Sequence, residues 1–462
     1  MNPEAIPAAA AARLACQEID HGYDPGALMQ ALRPLGQAVW LDSGDGGHGG
    51  RYDLLTAGPR EWLDGSAGRW RLRRDDGPVE SVSGDPFVLL AERLQARALP
   101  ATGLPFAGGA IGQFSYELGY ACNALAVPFQ PPPAGGLPEL AVGLYDWAVV
   151  RDLRQQRSWL IRHHDARMTA AGLQALLQAA PAAGGFRLGA VEEDCDRAGY
   201  LSRFEQVQAY LQAGDCYQVN LSRGYRAGFE GDPLTFYRAL RRRSPAPYGA
   251  FLETPDGVVL SVSPERFLRL QAGRVETRPI KGTRPRDPDP SRDQAQRLDL
   301  LASPKDRAEN VMIVDLLRND LGRVCAPGSV AVPELFQLES HPTVHHLVST
   351  VTGRLRPGVP AAALLRACFP GGSITGAPKR RAMEIIAELE QVRRGVYCGS
   401  VACLGFDGTL DCSIAIRTAM LQSGEMHYRA GGGLVVDSVG DDEFLETEHK
   451  ARAFLEVARA GY

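Results

Sequence analysis

The feature that most constrains the fold is the distribution of short apolar segments along the 462-residue chain. Most of these segments lie between turn residues and have the length of strands, as at 52–56, 217–226, 258–270, 400–406 and 414–422. Helical segments are too few to follow each of them. A doubly wound parallel sheet needs a crossover helix after nearly every strand. The pattern therefore predicts an α+β fold based on antiparallel sheets.

Two segments rich in Pro, Gly and Ala, 128–138 and 179–189, interrupt this pattern. Such compositions favour turns and linkers. The second segment separates a strand-rich part from a part in which long helices are predicted at 197–213, 304–321, 378–392 and 442–459. We therefore expect an N-terminal lobe over residues 1–178 and a larger lobe over residues 190–460.

Composition excludes several classes of protein. The 50 Lys and Arg residues nearly balance the 54 Asp and Glu residues, so the net charge of −4 is unlike that of a nucleic-acid-binding protein. No apolar run reaches the roughly 20 residues of a membrane-spanning helix. The nine cysteines form no C-x-x-C pair, and the N-terminus lacks the basic cluster of a signal peptide. We expect a cytoplasmic protein without a disulfide framework.

Lysine is rare in this chain. The 50 basic residues include only four lysines, Lys281, Lys305, Lys379 and Lys450. Arginine keeps its proton, whereas lysine provides a compact ammonium group or an amine that can lose its proton. Drift in an arginine-rich composition would explain any one of these lysines, but it is a weaker explanation for all four.

Two acidic pairs suggest a metal site. Asp306 and Glu309 are three residues apart in one predicted helix, and Glu443 and Glu446 in another, so each pair lies on one helical face. Four convergent carboxylates would suit Mg²⁺, which prefers oxygen ligands and keeps positions for water or substrate. Simpler explanations exist for single residues, because Asp306 fits a helix-capping box and Glu446 forms an ordinary i,i+4 pair with Lys450.

A second group of functional residue types surrounds Lys281. Pro279 and Gly282 flank this lysine, which restrains its backbone while leaving room for a ligand. Glu265 lies upstream at the end of an alternating apolar strand, from which it can face Lys281 as a general acid/base. The alternative for Glu265 is an exposed carboxylate at a strand end.

The motifs around these residues resemble those of the chorismate-utilising enzymes, most closely the aminodeoxychorismate synthase component I group. The matching segments are AGDCYQVNL (213–221), SVSPERF (261–267), RPIKGTRPR (278–286), KDRAENVMIVDLLRNDLGRV (305–324), HLVSTVTG (346–353), FPGGSITGAPKRRAME (369–384), YCG (397–399), IAIRT (414–418), AGGG (430–433) and ETEHKA (446–451). The fold implied is the anthranilate synthase component I type, an α/β sandwich of two large antiparallel sheets with helices outside.

The resemblance also implies roles for single residues. Glu309 and Glu446 match the principal Mg²⁺ ligands of the family, with Asp306 and Glu443 as second carboxylates. The positions that match contacts to the carboxylates of chorismate are Arg417, Tyr397, Gly432, Gly433, Ser373 and Lys450. His346 matches a histidine that lines the substrate ring. Gln218 stands where isochorismate and salicylate synthases carry a lysine base, so hydroxylation of chorismate is not expected.

Lys281 favours amination of chorismate, because anthranilate synthases usually have alanine at this position of the PIKGT motif. The expected reaction replaces the C4 hydroxyl with ammonia, and gives 4-amino-4-deoxychorismate for 4-aminobenzoate and folate biosynthesis. We expect Lys281 to act as the nucleophile, with Glu265 as its acid/base partner. Anthranilate synthase component I, which releases pyruvate, is the alternative. A catalytically silent tryptophan-binding or scaffold subunit is a third possibility, but it predicts a degraded set of catalytic residues.

Ammonia is expected from a separate glutamine amidotransferase subunit in a heterodimer. The chain lacks the G-x-C-x-G turn of a nucleophilic cysteine, and its nearest match is 214–218. The resemblance further implies a tryptophan pocket in the N-terminal lobe, formed by Ser43, Gly49, Gly50, Arg51, Tyr52, Pro247, Tyr248 and Gly249. A turn and a helix-to-strand junction would explain the same residues.

Overall fold

The computed structural model of the chain describes residues 7–44, 50–75, 77–133, 135–340 and 344–460. Its strands are β1 (Leu14–Ile19), β2 (Val39–Asp42), β3 (Tyr52–Thr56), β4 (Glu61–Ser66), β5 (Arg69–Arg74), β6 (Glu80–Ser83), β7 (Gly109–Phe114), β8 (Leu140–Tyr145), β9 (Trp147–Asp152), β10 (Arg157–His163), β11 (Phe186–Leu188), β12 (Glu192–Glu193), β13 (Gln218–Gly231), β14 (Tyr248–Thr254), β15 (Gly257–Ser263), β16 (Arg266–Gln271), β17 (Arg274–Thr277), β18 (Ile280–Pro285), β19 (Ala331–Ser340), β20 (Val344–Arg354), β21 (Gly376–Ala377), β22 (Ser400–Gly405), β23 (Leu410–Ile414), β24 (Thr418–Gln422) and β25 (Glu425–Leu434).

The helices occur along the whole described chain, and the two longest lie in its second half. They are α1 (Ala8–Ala11), α2 (Pro25–Leu32), α3 (Pro86–Gln95), α4 (Leu118–Cys122), α5 (Ala170–Gln178), α6 (Arg197–Ala213), α7 (Pro233–Arg243), α8 (Pro290–Ala302), α9 (Pro304–Gly322), α10 (Ala361–Cys368), α11 (Lys379–Glu390) and α12 (Gly440–Ala460). Among the described residues, no helix has the length and apolar character needed to cross a membrane.

The strands form two large antiparallel sheets, so the predicted fold class is confirmed. In the described part of the chain, the first sheet has 13 strands, with the main order β1-β10-β9-β3-β2-β14-β15-β24-β25-β13-β11. The second has 12, with the main order β18-β20-β17-β16-β23-β22-β7-β8-β4-β5-β6. Both sheets combine strands from the two predicted lobes in one hydrogen-bonded framework. The lobe boundary itself stays a prediction.

The central strands of the first sheet are buried on both faces. Successive residues of a strand point to opposite faces. Val39 of β2 and Leu54 of β3 join the core between the two sheets. Their neighbours Trp40 and Leu55 join a second core, to which α2, α5, α7 and α12 contribute. Burial on both faces explains why these strands are nearly continuous apolar runs.

The predicted bounds of two strands are wrong, because each predicted segment contains parts of two strands. The segment 258–270 is two strands, since β15 belongs to the first sheet and β16 to the second, with Pro264 and Glu265 between them. Proline has no N–H to donate to a strand ladder, so the pairing stops there. The segment 414–422 is also divided, because Arg417 adopts a left-handed backbone conformation (φ 53°) that interrupts an extended strand.

Lys379 has a structural position. Its ammonium group is buried and lies 2.7 Å from the Asp320 carboxylate of α9, and it donates a hydrogen bond of 2.8 Å to the carbonyl oxygen of Cys368. This pair connects the start of α11 to the end of α9. A lysine in this chain is therefore not always a reactive group, although lysine is rare.

Candidate active site

The predicted site residues converge where the edge strand of the second sheet meets the first sheet. Lys281 lies on β18, Gln218 begins β13, and Gly433 lies on β25. A Cβ atom at position 433 would be 2.6 Å from Gln218 Nε2 and 3.2 Å from Lys281 Nζ. Only glycine at this position lets the two side chains approach the strand. Gly282 has a similar role, since its φ is +82° and an added Cβ would lie 2.9 Å from the Asp306 carboxylate.

Glu265 lies in the short connection by which the chain passes from one sheet to the other. The Ser373 hydroxyl donates a hydrogen bond of 2.8 Å to its carboxylate. Burial raises the pKa of Glu265 to about 7, although Ser373, Lys281 and Lys450 oppose this effect. A carboxyl group with this pKa is protonated in a substantial fraction of molecules at neutral pH, as a general acid requires.

The four carboxylates expected to bind a metal come from the N-terminal halves of α9 and α12. Each one contacts a different cation. The pairs are Asp306 with Arg284 at 3.1 Å, Glu309 with Lys281 at 3.9 Å, Glu443 with Lys305 at 3.7 Å, and Glu446 with Lys450 at 2.5 Å. Three of the four lysines of the chain therefore lie in this cluster, which contains equal numbers of acidic and basic side chains.

The pKa values of these carboxylates reflect burial and the neighbouring charges. Burial raises the pKa of Glu309 and of Glu443, in part against nearby lysines. Burial also acts to raise the pKa of Glu446, but the adjacent Lys450 ammonium, with Lys281 and Lys305, brings it below its usual value. Lys305 acts on all three glutamates.

The donor set fits Mg²⁺ in its chemistry. It consists of carboxylate oxygens, and the neighbouring backbone leaves space beside them, because a Cβ at position 432 would lie 3.1 Å from Glu443 Oε2 and 3.5 Å from Glu446 Oε1. As the side chains stand, no three acidic, histidine or cysteine residues among those described are grouped closely enough to hold an ion. Each carboxylate contacts its cation instead.

Hydrogen bonds connect the segments of Tyr397 and Arg417 to the position of Glu265. The Cys398 N–H donates to the carbonyl oxygen of Ala415 at 2.8 Å, and the Ile414 N–H donates to that of Glu265 at 3.1 Å. Tyr397 is buried, and Arg417 is in the left-handed conformation noted above. A non-glycine residue in this conformation is uncommon and often belongs to a functional site.

The remaining predicted substrate contacts lie around Lys281 and β25. His346 lies on β20, and its Nδ1 is 3.0 Å from the Thr283 hydroxyl of β18. Lys450 also donates to the carbonyl oxygen of Gly431 at 2.9 Å. Both amide atoms of Gln218 are buried and have no hydrogen-bond partner among the described residues. An unpaired buried amide costs roughly 1–3 kcal/mol, so Gln218 is suited to bind a ligand.

The residues expected to bind tryptophan lie in a separate cavity of about 690 Å³. Ser43, Gly50, Arg51, Tyr52, Pro247, Tyr248 and Gly249 line it. Gly49 lies outside the described residues. Arg266 and Asp411, which the sequence did not indicate, also line the cavity and form an ion pair at 3.1 Å. Tryptophan binding in this cavity stays a prediction.

Two residues of the carboxylate cluster were not predicted to belong to it. Lys305 was noted only as one of the rare lysines, and Arg284 was part of a matching motif without a role. The position of Lys305 next to Asp306 in the capping turn of α9 was the available signal, but the approach of α9 to α12 is a long-range contact that no local pattern contains.

Comparisons with known proteins show the family to which the chain belongs. Residues 37–456 match the family described as chorismate binding enzyme. The chain is 46% identical over 441 residues to aminodeoxychorismate synthase component 1 of Klebsiella aerogenes, which covers 94% of this chain and 97% of that protein. It is 40% identical to anthranilate synthase component 1 of Streptomyces coelicolor, covering 83% of this chain and 79% of that protein. The crystal structure of anthranilate synthase component I from Streptococcus pneumoniae aligns with a TM-score of 0.75 and 30% identity, covering 87% of this chain and 91% of that one. These matches confirm the resemblance inferred from the motifs.

The raised pKa of Glu265 predicts a pH-dependent effect of Glu265→Gln on stability. The folded protein favours the protonated carboxyl, so its stability falls as pH rises from the usual pKa of 4.5 to about 7 and then levels off. Glutamine cannot ionise, so the variant does not lose stability in this way as the pH rises. The free energy of unfolding of Glu265→Gln minus that of the wild type should grow by about 2–3 kcal/mol between pH 4.5 and pH 7.5. Denaturant titrations at several pH values measure this difference. A difference that does not change with pH would contradict the raised pKa of Glu265.

Proposed function

The chain belongs to the chorismate binding enzymes, and on this basis we propose that it converts chorismate and ammonia to 4-amino-4-deoxychorismate for 4-aminobenzoate and folate biosynthesis. The observation that carries the proposal is the position of Lys281, whose amine lies in the site beside Glu309, Gln218 and Gly433. The identity of 46% to the aminodeoxychorismate synthase component 1 of Klebsiella aerogenes, against 40% to the anthranilate synthase component 1 of Streptomyces coelicolor, also supports it. Anthranilate synthesis is the second candidate.

Lys281 is the proposed nucleophile. Its amine adds at C2 of the chorismate ring, the two ring double bonds shift, and the C4–oxygen bond breaks. Ammonia then adds at C4, the double bonds shift back, and the lysine amine departs from C2. Two displacements replace the hydroxyl with retention of configuration, which a single direct displacement would invert. Lysine can perform this step because its amine can give up a proton, whereas arginine cannot.

Glu265 is the proposed acid/base partner. Its carboxyl proton goes to the C4 oxygen as that bond breaks, so the hydroxyl leaves as water. The pKa of about 7 and the hydrogen bond from Ser373 suit this role, because the group is available as an acid and held in one orientation. Such proton transfer typically contributes about 10²–10⁴ in rate.

Glu309 and Glu446, with Glu443 and Asp306, would hold Mg²⁺. When bound, the ion neutralises a substrate carboxylate and withdraws electron density from the ring. Arg417 and Lys450 provide positive charge for the carboxylates of the substrate. Gln218 and His346 lie beside Lys281, where they can orient the ring.

Ammonia is proposed to come from a separate glutamine amidotransferase subunit. The relatives are named component 1, which supports a second component. Cys216, in the nearest match to a nucleophile turn, is buried, and burial raises the pKa of its thiol. A buried thiol of this kind is a poor nucleophile. Tryptophan is the proposed ligand of the separate cavity, and the cytoplasm is the proposed location.

A product assay distinguishes the two candidate reactions. The purified chain with chorismate, Mg²⁺ and ammonium should form a product that keeps the enolpyruvyl group, as detected by mass spectrometry, without release of pyruvate. Glutamine in place of ammonium should give no turnover. Fluorescent anthranilate with stoichiometric pyruvate would contradict the proposed reaction, and release of glutamate from glutamine would contradict the separate subunit.

Covalent catalysis predicts that neither Lys281→Ala nor Lys281→Arg is active. Both should lose more than about 100-fold in the rate of amination, because neither supplies a neutral amine. The fold should remain, as checked by circular dichroism. Intact-protein mass spectrometry of the wild type with chorismate and Mg²⁺, but without ammonia, should show an adduct that is absent from Lys281→Ala. A fully active Lys281→Arg enzyme would leave Lys281 as a charge contact only.

The proposed metal ligands predict a large loss of activity without a large loss of stability. Glu309→Gln and Glu446→Gln should each reduce turnover at least about tenfold, because one ligand of the ion is weakened. Glu456→Gln changes a half-buried residue farther along α12, which pairs with Arg243 outside the site, and serves as the matched control. Near-normal turnover of both site variants, or full activity in excess EDTA, would show that these glutamates have only structural roles.

A further inference from the structure

Lys305 differs from the other cations of the carboxylate cluster in its exposure. Its side chain is 45% exposed, against 11% for Lys281, 26% for Arg284 and 35% for Lys450. It contacts Glu443 at 3.7 Å and has no other hydrogen bond or ion pair among the described residues, whereas Lys450 also donates to a backbone carbonyl oxygen and Arg284 contacts Asp299 at 2.6 Å. Lys305 is therefore the cation of the cluster that can leave with the least rearrangement.

Glu443 has a different environment. Its side chain is only 6% exposed, and the Ser438 hydroxyl donates to it at 2.6 Å. A buried carboxylate needs a positive partner as well as hydrogen bonds. The Ser438 bond fixes the carboxylate, and Lys305 supplies the positive charge from the solvent side. The contact thus combines a fixed anion with a movable cation.

Charge balance makes the metal and the substrate depend on each other. The cluster has four acidic and four basic side chains, so an added divalent ion gives an excess of two positive charges while Lys305 stays in place and of one after Lys305 has moved away. A dianionic substrate removes this excess. Like charges a few ångströms apart in a partly buried site repel each other, so the ion alone binds less well than the ion together with the substrate.

We propose that Lys305 is an exchangeable counter-ion that holds Glu443 before the metal binds, is displaced when the metal enters, and so makes metal binding conditional on the dianionic substrate. This inference rests on the proposed magnesium site. Lys305 is a positioning residue, since it acts on the metal through Glu443 and takes no part in bond making or breaking.

Calorimetric titration of Mg²⁺ into the substrate-free protein tests the proposal. Lys305→Met and Lys305→Gln remove the competing charge and should bind Mg²⁺ about tenfold more tightly than the wild type at low ionic strength. The gain should shrink as salt is raised, because Lys305 is partly exposed to solvent. Lys305→Arg keeps the charge and should differ from the wild type by less than about twofold.

Arg318→Met provides the matched control. Arg318 lies on the same helix in an exposed pair with Asp315 at 2.7 Å, and its loss removes one positive charge elsewhere. Its Mg²⁺ affinity should equal that of the wild type within about twofold. Equal tightening in Arg318→Met, equal tightening in Lys305→Arg, or unchanged, weaker or undetectable binding in both neutral Lys305 variants would overturn the proposal. The product assay with the wild type tests the proposed reaction separately.

Turnover adds a second readout. In the wild type, saturating chorismate should lower the Mg²⁺ concentration needed for half-maximal rate well below the dissociation constant of the substrate-free protein. The ratio of this dissociation constant to the Mg²⁺ concentration at half-maximal rate should be several-fold smaller in Lys305→Met. The reason is that this variant lacks the positive charge that the substrate offsets in the wild type. An identical ratio in the two proteins would show that Lys305 does not connect the two ligands.

Discussion

Burial of both faces of the first sheet is the constraint from which the position of the site follows. Charged groups cannot be placed in the core between the sheets without large cost. The charged groups of the candidate site lie at one end of this core, where β18 of the second sheet approaches β13 and β25, and where α9 and α12 begin. The one carboxylate in the connection between sheets, Glu265, is buried as a result, and its raised pKa is a direct consequence of this placement.

The electrostatics of the cluster follow from the same burial. Asp306, Glu309 and Glu443 are mostly hidden from water and need counter-charges, and each has its own cation, as the more exposed Glu446 also has. Three of these counter-charges are lysines in a chain that otherwise uses arginine. An ammonium group is compact and can move on a flexible stem, whereas a guanidinium forms a rigid, often bidentate contact. Lysine is therefore the better partner for carboxylates that must later bind something else.

Local signals in the sequence predicted much of the fold and of the site. Helix α6 has the predicted bounds, Arg197–Ala213, because an Asp cap and a C-terminal glycine mark its ends. The acidic pairs were found through their helical spacing. The passage of the chain between sheets at Glu265, the turn at Arg417 and the contact of Lys305 with Glu443 were not predicted, because each depends on pairing between segments far apart in the chain. The cavity lined by Ser43 and Pro247 was expected through family resemblance, since 204 residues separate these two positions.

The two glycines beside the carboxylates and Lys281 divide the site into parts that can change independently. Gly432 and Gly433 pair with Leu221 and Asn220 in the ladder between β25 and β13, and they present bare backbone to the ligand. The backbone pairing of β25 with β13 forms this surface, so the surface does not depend on which side chains face it. The proposed reactive groups are on other elements, Lys281 on β18 and Glu265 in the connection between β15 and β16. A new reaction could thus evolve by exchange of one or two facing side chains, with the surface proposed to bind the substrate inherited intact.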